Sequence, residues 1–188
     1  MIEHKTYIYG RHVLVEALTN SPKSLKKIFL ESKLADNELM ALIKKSGVPV
    51  TTLSSAKNLQ GADRLDIRQG IIALLSMENL LRPFKDFMGS LLVSKDTSLV
   101  LLDEIQDPHN LGAIIRSAAA FGISGVLIPE HNQVPITGSV IKVSAGMAFR
   151  VPLISVGNVN STLRDLKDKG FWVYGMDESA LHNINTER

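Results

Sequence analysis

The 188-residue chain contains no cysteine, which excludes disulfides and thiolate metal sites and makes a cytoplasmic address the default expectation. Its five histidines (His4, His12, His109, His131 and His182) lie far apart and form no HxxxH-type pair, so no metal site is expected. No apolar stretch approaches the ~20 residues that cross a bilayer. The N-terminal MIEHKTYIYG also lacks the apolar core of a signal peptide, so no membrane partner is expected. There is no GxGxxG, the phosphate loop of dinucleotide enzymes. Dense basic runs and aromatic–basic interleaving are absent too. What is present is ordinary for a soluble globular protein, with 45% hydrophobic and 21% charged residues and enough length to bury a core.

The net charge is only +2, but it is unevenly spread. Residues 1–75 carry 11 Lys/Arg against 7 Asp/Glu, whereas residues 96–188 carry 7 against 10. A basic first half on a weakly acidic second half fits a nucleic-acid-docking module joined to a catalytic one. A merely solvated surface fits the same numbers.

Helix and strand patterns alternate along the first 76 residues. RHVLVEALTN after Gly10 has helical spacing, KKIFLE (26–31) reads as a strand, and Leu34 to Lys45 as a helix that Gly47 stops. Val48–Thr52 and Gly70–Ser76 read as strands. Pro83 and Gly89 break the rhythm over 77–95, which reads as an ordered linker with a short helix. A second α/β unit begins near Ser98. SLVLLDEI, GVLIP (125–129), VPLIS (151–155) and FWVYGM (171–176) read as strands. Helices over Asn110–Phe121, Ile136–Ala145 and Asn158–Asp168 separate them. Strands spaced by such helices imply a parallel sheet with right-handed crossovers.

The stretch Leu101–Gly122, LLDEIQDPHNLGAIIRSAAAFG, is the most informative. A buried strand leads through an acidic, Pro-containing loop into a helix for which Asn110 suits the N-cap. Gly112 permits another backbone or a ligand to approach closely. Arg116 is the one charge on an otherwise apolar helix. It is either paired structurally with Asp103, Glu104 or Asp107, or snorkels to water, or faces a cleft that handles anions.

This stretch resembles the first signature motif of the SpoU/TrmH methyltransferases of the SPOUT class, which join an Asp-Pro-x-Asn-Leu-Gly loop to an Arg-bearing helix. Lys142-Val143-Ser144-Ala145-Gly146-Met147 resembles that family's later small-residue stretch. Tyr9 to Leu18 resembles the start of its small RNA-binding domain, which is similar to ribosomal protein L30e. Arg68-Gln69-Gly70 resembles that domain's last strand, with Arg68 where the family has histidine.

The resemblance implies an α/β protein with an L30e-like RNA-binding domain over 1–76, a linker over 77–95, and the first part of a parallel-sheet SPOUT methyltransferase domain over 96–188. It implies methylation of a ribose 2′-hydroxyl in RNA by S-adenosyl-L-methionine, nearest to the branch that acts on a guanosine of large-subunit ribosomal RNA. Arg116 and Asn110 take the catalytic positions, Arg11, His12, Arg68 and Gln69 the RNA-binding ones, and Gly175 and Met176 contact the donor. Ribosomal RNA is the implied partner, and the family member is expected to be a homodimer. The family's Gly-Ser-Glu-x-x-Gly and Ser-Leu-Asn-x-Ser motifs are expected after Met176. Since the chain ends at Arg188, the trefoil-knot region is expected to be incomplete and the chain alone inactive. A non-catalytic RNA-binding fragment is the alternative.

Overall fold

The computed structural model describes residues 5–34, 36–53, 70–177 and 179–180. By its contacts the chain divides into two compact units, Met1–Gly157 and Asn158–Arg188.

In the first unit, strands β1 (Tyr7–Tyr9), β2 (Leu25–Leu30), β3 (Val50–Thr52) and β4 (Ile71–Leu75) form a sheet of order β1-β4-β2-β3. Strand β4 runs antiparallel to both neighbours, and β2 pairs parallel with β3. Side chains alternate between two apolar clusters, as the two-residue period of a strand demands. Ile8, Ile28, Leu30, Ile71, Ala73 and Leu75 enter the main core, while Tyr7, Phe29 and Ile72 form a smaller cluster with Leu53.

Helix α1 (Arg11–Asn20) adds Val13, Leu14, Ala17 and Leu18 to the main core, and α2 (Asn37–Ser46) adds Leu39 and Ile43. Helix α2 begins later than its apolar spacing suggests because the Asp36 side chain accepts from the Leu39 N–H at 2.8 Å and sets the N-terminus. It ends at Gly47 in the left-handed conformation (φ 71°), as expected.

The stretch expected as a linker is built into the second sheet. It holds α3 (Met77–Leu80), β5 (Leu81–Pro83) and α4 (Phe84–Ser90), with Leu80, Phe87 and Met88 buried. A proline is tolerated in β5 because that strand lies at the sheet edge. The other strands are β6 (Leu99–Leu101), β7 (Gly125–Pro129) and β8 (Leu153–Val156), in the order β5-β8-β7-β6. Every pairing in this sheet is parallel. Strand β7 is buried along its whole length, the signature of a strand covered on both faces. Helix α5 (Pro108–Ala120) joins β6 to β7, and α6 (Gly138–Val143) lies between β7 and β8. One buried cluster runs from Ile8 and Leu14 through Leu111 and Ile115 to Val126 and Leu153.

The second unit contains α7 (Val159–Asp168), capped by the Asn158 side chain, which accepts from the Ser161 N–H at 3.0 Å. Residues 171–176, expected as a fourth strand, are irregular instead. A strand exists only when a neighbour takes up its N–H and C=O groups, and no strand among the described residues pairs with this one. Among the described residues no helix is long and apolar enough to cross a membrane.

Candidate active site

Parallel α/β sheets bind ligands at the carboxyl ends of their strands. At that edge the loops after β6 and β7 are fastened to each other. The Ile105 N–H donates to Gln133 Oε1 at 3.0 Å, the Val134 N–H donates to the Ile105 carbonyl at 2.9 Å, and Gln106 Nε2 donates to the Asn132 carbonyl at 2.8 Å. Glu104 (φ 53°) and Asn132 (φ 52°), one in each loop, sit in the left-handed region, a strain that persists only where surrounding contacts hold it.

The β6 loop launches α5. Its cap is Asp107, whose side chain accepts from the His109 N–H at 2.8 Å, with Pro108 as the first helical residue. Asn110, expected as the cap, is the third helical residue and is exposed. The Asp-Pro pair explains the shift, since proline is pre-set for the first helical position and needs no N–H partner there.

Leu111, Gly112, Ile115 and Ala118 form the buried side of α5. Gly112 serves a helix rather than a ligand: a Cβ there would lie 2.7 Å from Val143 Cβ and 2.9 Å from the Val140 carbonyl, both on α6. The opposite side is bare. His109, Asn110, Arg116, Ser117 and Ala120 are exposed, and Phe121 just past the helix is 84% exposed.

Arg116 therefore sits on an uncovered stripe. Among the described residues nothing makes a hydrogen bond or ion pair with it, so the structural pairing with Asp103, Glu104 or Asp107 does not form. Arg116 lies six positions after Asn110, about 9 Å along the axis and about 120° around it. The two flank one patch without touching.

The other expected site residues are not gathered here. Arg11 is tied to two carboxylates, with Nε to Asp36 Oδ2 at 3.1 Å and Nη2 to Glu38 Oε2 at 3.0 Å, and those hydrogen bonds raise its pKa further. His12 is exposed at the start of α1. Arg68 and Gln69 lie outside the described residues.

In the second unit Gly175 and Met176 are exposed, Met176 by 76%. A Cβ at Gly175 would meet nothing within 4 Å, so no close backbone approach calls for glycine there. The described residues around them do not fit a methyl-donor cradle, because both lie exposed and nothing encloses Gly175 within 4 Å. Among the described residues no cluster of His, Asp or Glu is arranged to hold a metal ion.

One ion pair went unread in the sequence. Glu16 of α1 is 7% exposed and both its carboxylate oxygens accept from Arg150, Oε2 from Nε at 2.7 Å and Oε1 from Nη2 at 2.8 Å. The Arg150 hydrogen bonds hold the Glu16 carboxyl below the usual carboxylate range, against the opposing effect of burial. No local pattern reveals a pair 134 residues apart.

Comparison with known proteins adds ancestry to this geometry. The family model described as the SpoU rRNA Methylase family matches residues 97–187, and the one described as RNA 2′-O ribose methyltransferase substrate binding matches residues 7–81. The chain is 32% identical over 188 residues to the 23S rRNA (guanosine-2′-O-)-methyltransferase RlmB of Nitrosomonas europaea, covering 97% of the chain and 70% of that protein. It is 34% identical over 171 residues to the RlmB of Shewanella oneidensis, covering 89% and 69% respectively. Among solved structures, the SpoU methyltransferase AviRb from Streptomyces viridochromogenes in complex with AdoMet superposes with a TM-score of 0.65 at 16% identity, over 89% of this chain and 60% of that one. The AdoMet-bound rRNA methyltransferase from Sinorhizobium meliloti gives 0.62 at 19% identity, over 87% and 58%. At those identities the structural likeness establishes the fold, and the chain spans about three-fifths of the solved chains it matches.

Proposed function

The chain belongs to the SpoU rRNA methylase family, and from that premise we propose that it takes part in methylating the 2′-hydroxyl of a guanosine ribose in large-subunit ribosomal RNA. Residues 1–76 dock the RNA and residues 96–188 carry the chemistry. The observation that carries the reading is Arg116, exposed on the bare stripe of α5 and without a hydrogen bond or ion pair among the described residues.

A ribose 2′-hydroxyl is a weak acid and must lose its proton near the transition state. Arg116 does not accept that proton, because a guanidinium stays charged in proteins. It stabilises the developing alkoxide and grips the adjacent phosphate, while water or that phosphate takes the proton. Asn110, at the first turn of the same helix, orients the ribose from the other flank of the patch. S-adenosyl-L-methionine, when bound, supplies a methyl group on a sulfonium whose departure as a neutral thioether needs no acid. Gly175 and Met176 contact the donor in this reading. The exposed run of Ala120 and Phe121 beside Arg116 supports a second copy of the chain as the cover of this stripe.

The test is methyl transfer to a ribosomal RNA transcript by a chain that carries the family's second and third motifs. A 2′-O-methyl group blocks alkaline cleavage at its own phosphodiester, so one protected guanosine is the expected result. Uniform cleavage would refute the proposal. The competing reading, an RNA-binding protein without catalysis, is favoured by the open surroundings of Gly175 and Met176 and predicts RNA binding with no donor binding at all.

A further inference from the structure

We propose that Glu16 and Arg150 are positioning residues that lock the RNA-docking half onto the half bearing Arg116, so that bound RNA reaches α5 at one fixed distance. The role of the RNA rests on the proposed function; the lock itself rests on geometry.

Among the described residues the two sheets share no strand pairing, so no hydrogen-bonded ladder there sets their mutual orientation. The apolar cluster running through both supplies attraction, but burial of apolar surface is non-directional. Direction at α3 comes from Asn79 Nδ2, which donates to the Lys23 carbonyl at 2.9 Å, and on the side facing α6 it comes from three contacts among the described residues. The first is the two-pronged pair of Glu16 with Arg150, to which Asn20 Nδ2 adds a third donor on Glu16 Oε2 at 3.0 Å. A carboxylate this buried is costly unless its lone pairs are filled, and here three donors fill them. Arg150 reaches in from the surface with its side chain 53% exposed, directly after the turn Met147–Phe149.

The second contact is Gly146 in the left-handed region (φ 79°), where a Cβ would lie 3.0 Å from Glu16 Cβ, so α1 rides against that turn. The third is Gly138, the first residue of α6, where a Cβ would fall 2.0 Å from the Tyr7 carbonyl oxygen of β1. Each contact joins an element of the first sheet's layer to the segment 138–150, and that same segment packs on α5 at Gly112. A chain of direct contacts therefore runs from the RNA-docking half to the helix that carries Arg116.

The absence of native cysteine makes the test direct. Lys44→Cys on α2 and Lys85→Cys on α4 take spin labels, the labelled chain is diluted into unlabelled protein, and pulsed dipolar spectroscopy reads the distance distribution between them within one full chain. The expected result is one narrow distribution with Glu16 and Arg150 intact and a several-fold broader one in Glu16→Gln and in Arg150→Ala. Arg150→Lys, which keeps the charge but loses the fork, should fall between. Glu16→Gln conserves shape and leaves only a half-exposed cation unpaired, so it keeps the test valid if Arg150→Ala does not fold. Distributions equally narrow in every folded variant would overturn the lock.

Activity separates this claim from the one beneath it. In a methylating chain Glu16→Gln should keep its RNA Kd and lose about tenfold in single-turnover rate. A changed Kd with an unchanged rate would overturn the positioning role. If the parent protein itself fails to methylate, the functional proposal falls, and the distance distributions still decide the lock.

Discussion

Replacing Gly112 by alanine sets two effects of opposite sign against each other within α5. Alanine is favoured over glycine inside a helix by about 1 kcal/mol, so an unobstructed site would gain stability. At Gly112 the new methyl would lie 2.7 Å from Val143 Cβ and Cγ1 and 2.9 Å from the Val140 carbonyl. Carbon atoms pack at roughly 3.5–4.0 Å, and neither Val143 Cβ nor a backbone carbonyl can rotate away. Helices α5 and α6 must therefore part by roughly 1 Å, and overpacking of this kind costs about 1–3 kcal/mol. The clash outweighs the propensity gain, for a net loss of up to about 2 kcal/mol. In a chain of this size that lowers Tm by about 4–8 °C. Gly89 of α4 supplies the control, because a Cβ there meets nothing within 4 Å. Thermal melts followed by circular dichroism should show Gly112→Ala melting below the parent and Gly89→Ala at or above it. A Gly112→Ala protein as stable as Gly89→Ala would refute the close helix approach.

Asp107→Ala should cost about 1 kcal/mol through loss of the helix cap, whereas Asn110→Ala should stay within about 0.5 kcal/mol of the parent; equal losses in urea titrations would restore Asn110 as the cap. RNA affinity of the full chain should fall with added salt, with a log–log slope of about −3 if the excess charge of the first half meets four phosphates, and a flat salt dependence would exclude that docking face. Glu16 has a lowered folded-state pKa, so its contribution to stability is present above the unfolded value of about 4.3 and is lost as pH falls through the folded value. Arg150, first by its hydrogen bonds, and His12 beside it both favour the ionised form. The Tm difference between the parent and Glu16→Gln should therefore shrink between pH 7 and pH 3, and a pH-independent difference would remove the ion pair from the account.

The local part of this architecture is legible in the chain itself. Short apolar runs mark β2 and β4, the left-handed Gly47 ends α2, and continuous apolar runs mark β7 and β8 as buried parallel strands. What local pattern misses is set by partners distant in sequence. Leu81–Pro83 become a strand only because β8 lies alongside, and residues 171–176 do not become one despite their apolar content because no ladder receives them. The helix cap fell to Asp107 rather than Asn110 because proline at the first position outweighs the side-chain preference of asparagine two residues later. Arg116 stood out as a lone charge on an apolar helix, but only the fold shows that its stripe is bare and that the three nearby carboxylates leave it unpaired. Arg11 carried the opposite signal: it reads as a docking cation, yet Asp36 and Glu38 already neutralise it.

The central claim is that Arg116 acts on the reacting ribose rather than on the fold. Single-turnover methylation beside thermal melts, on a chain carrying the family's later motifs, measures both properties in one series. Because Arg116 is exposed and unpaired among the described residues, Arg116→Ala should stay within about 0.5 kcal/mol of the parent in stability. It should also lose most of its turnover, since a charge that meets only the developing alkoxide contributes to the transition state and little to ground-state binding. Arg116→Lys should also be slow, because an ammonium lacks the planar fork that reaches ribose and phosphate together. An Arg116→Ala protein that is stable and turns over at near the parent rate would contradict the account.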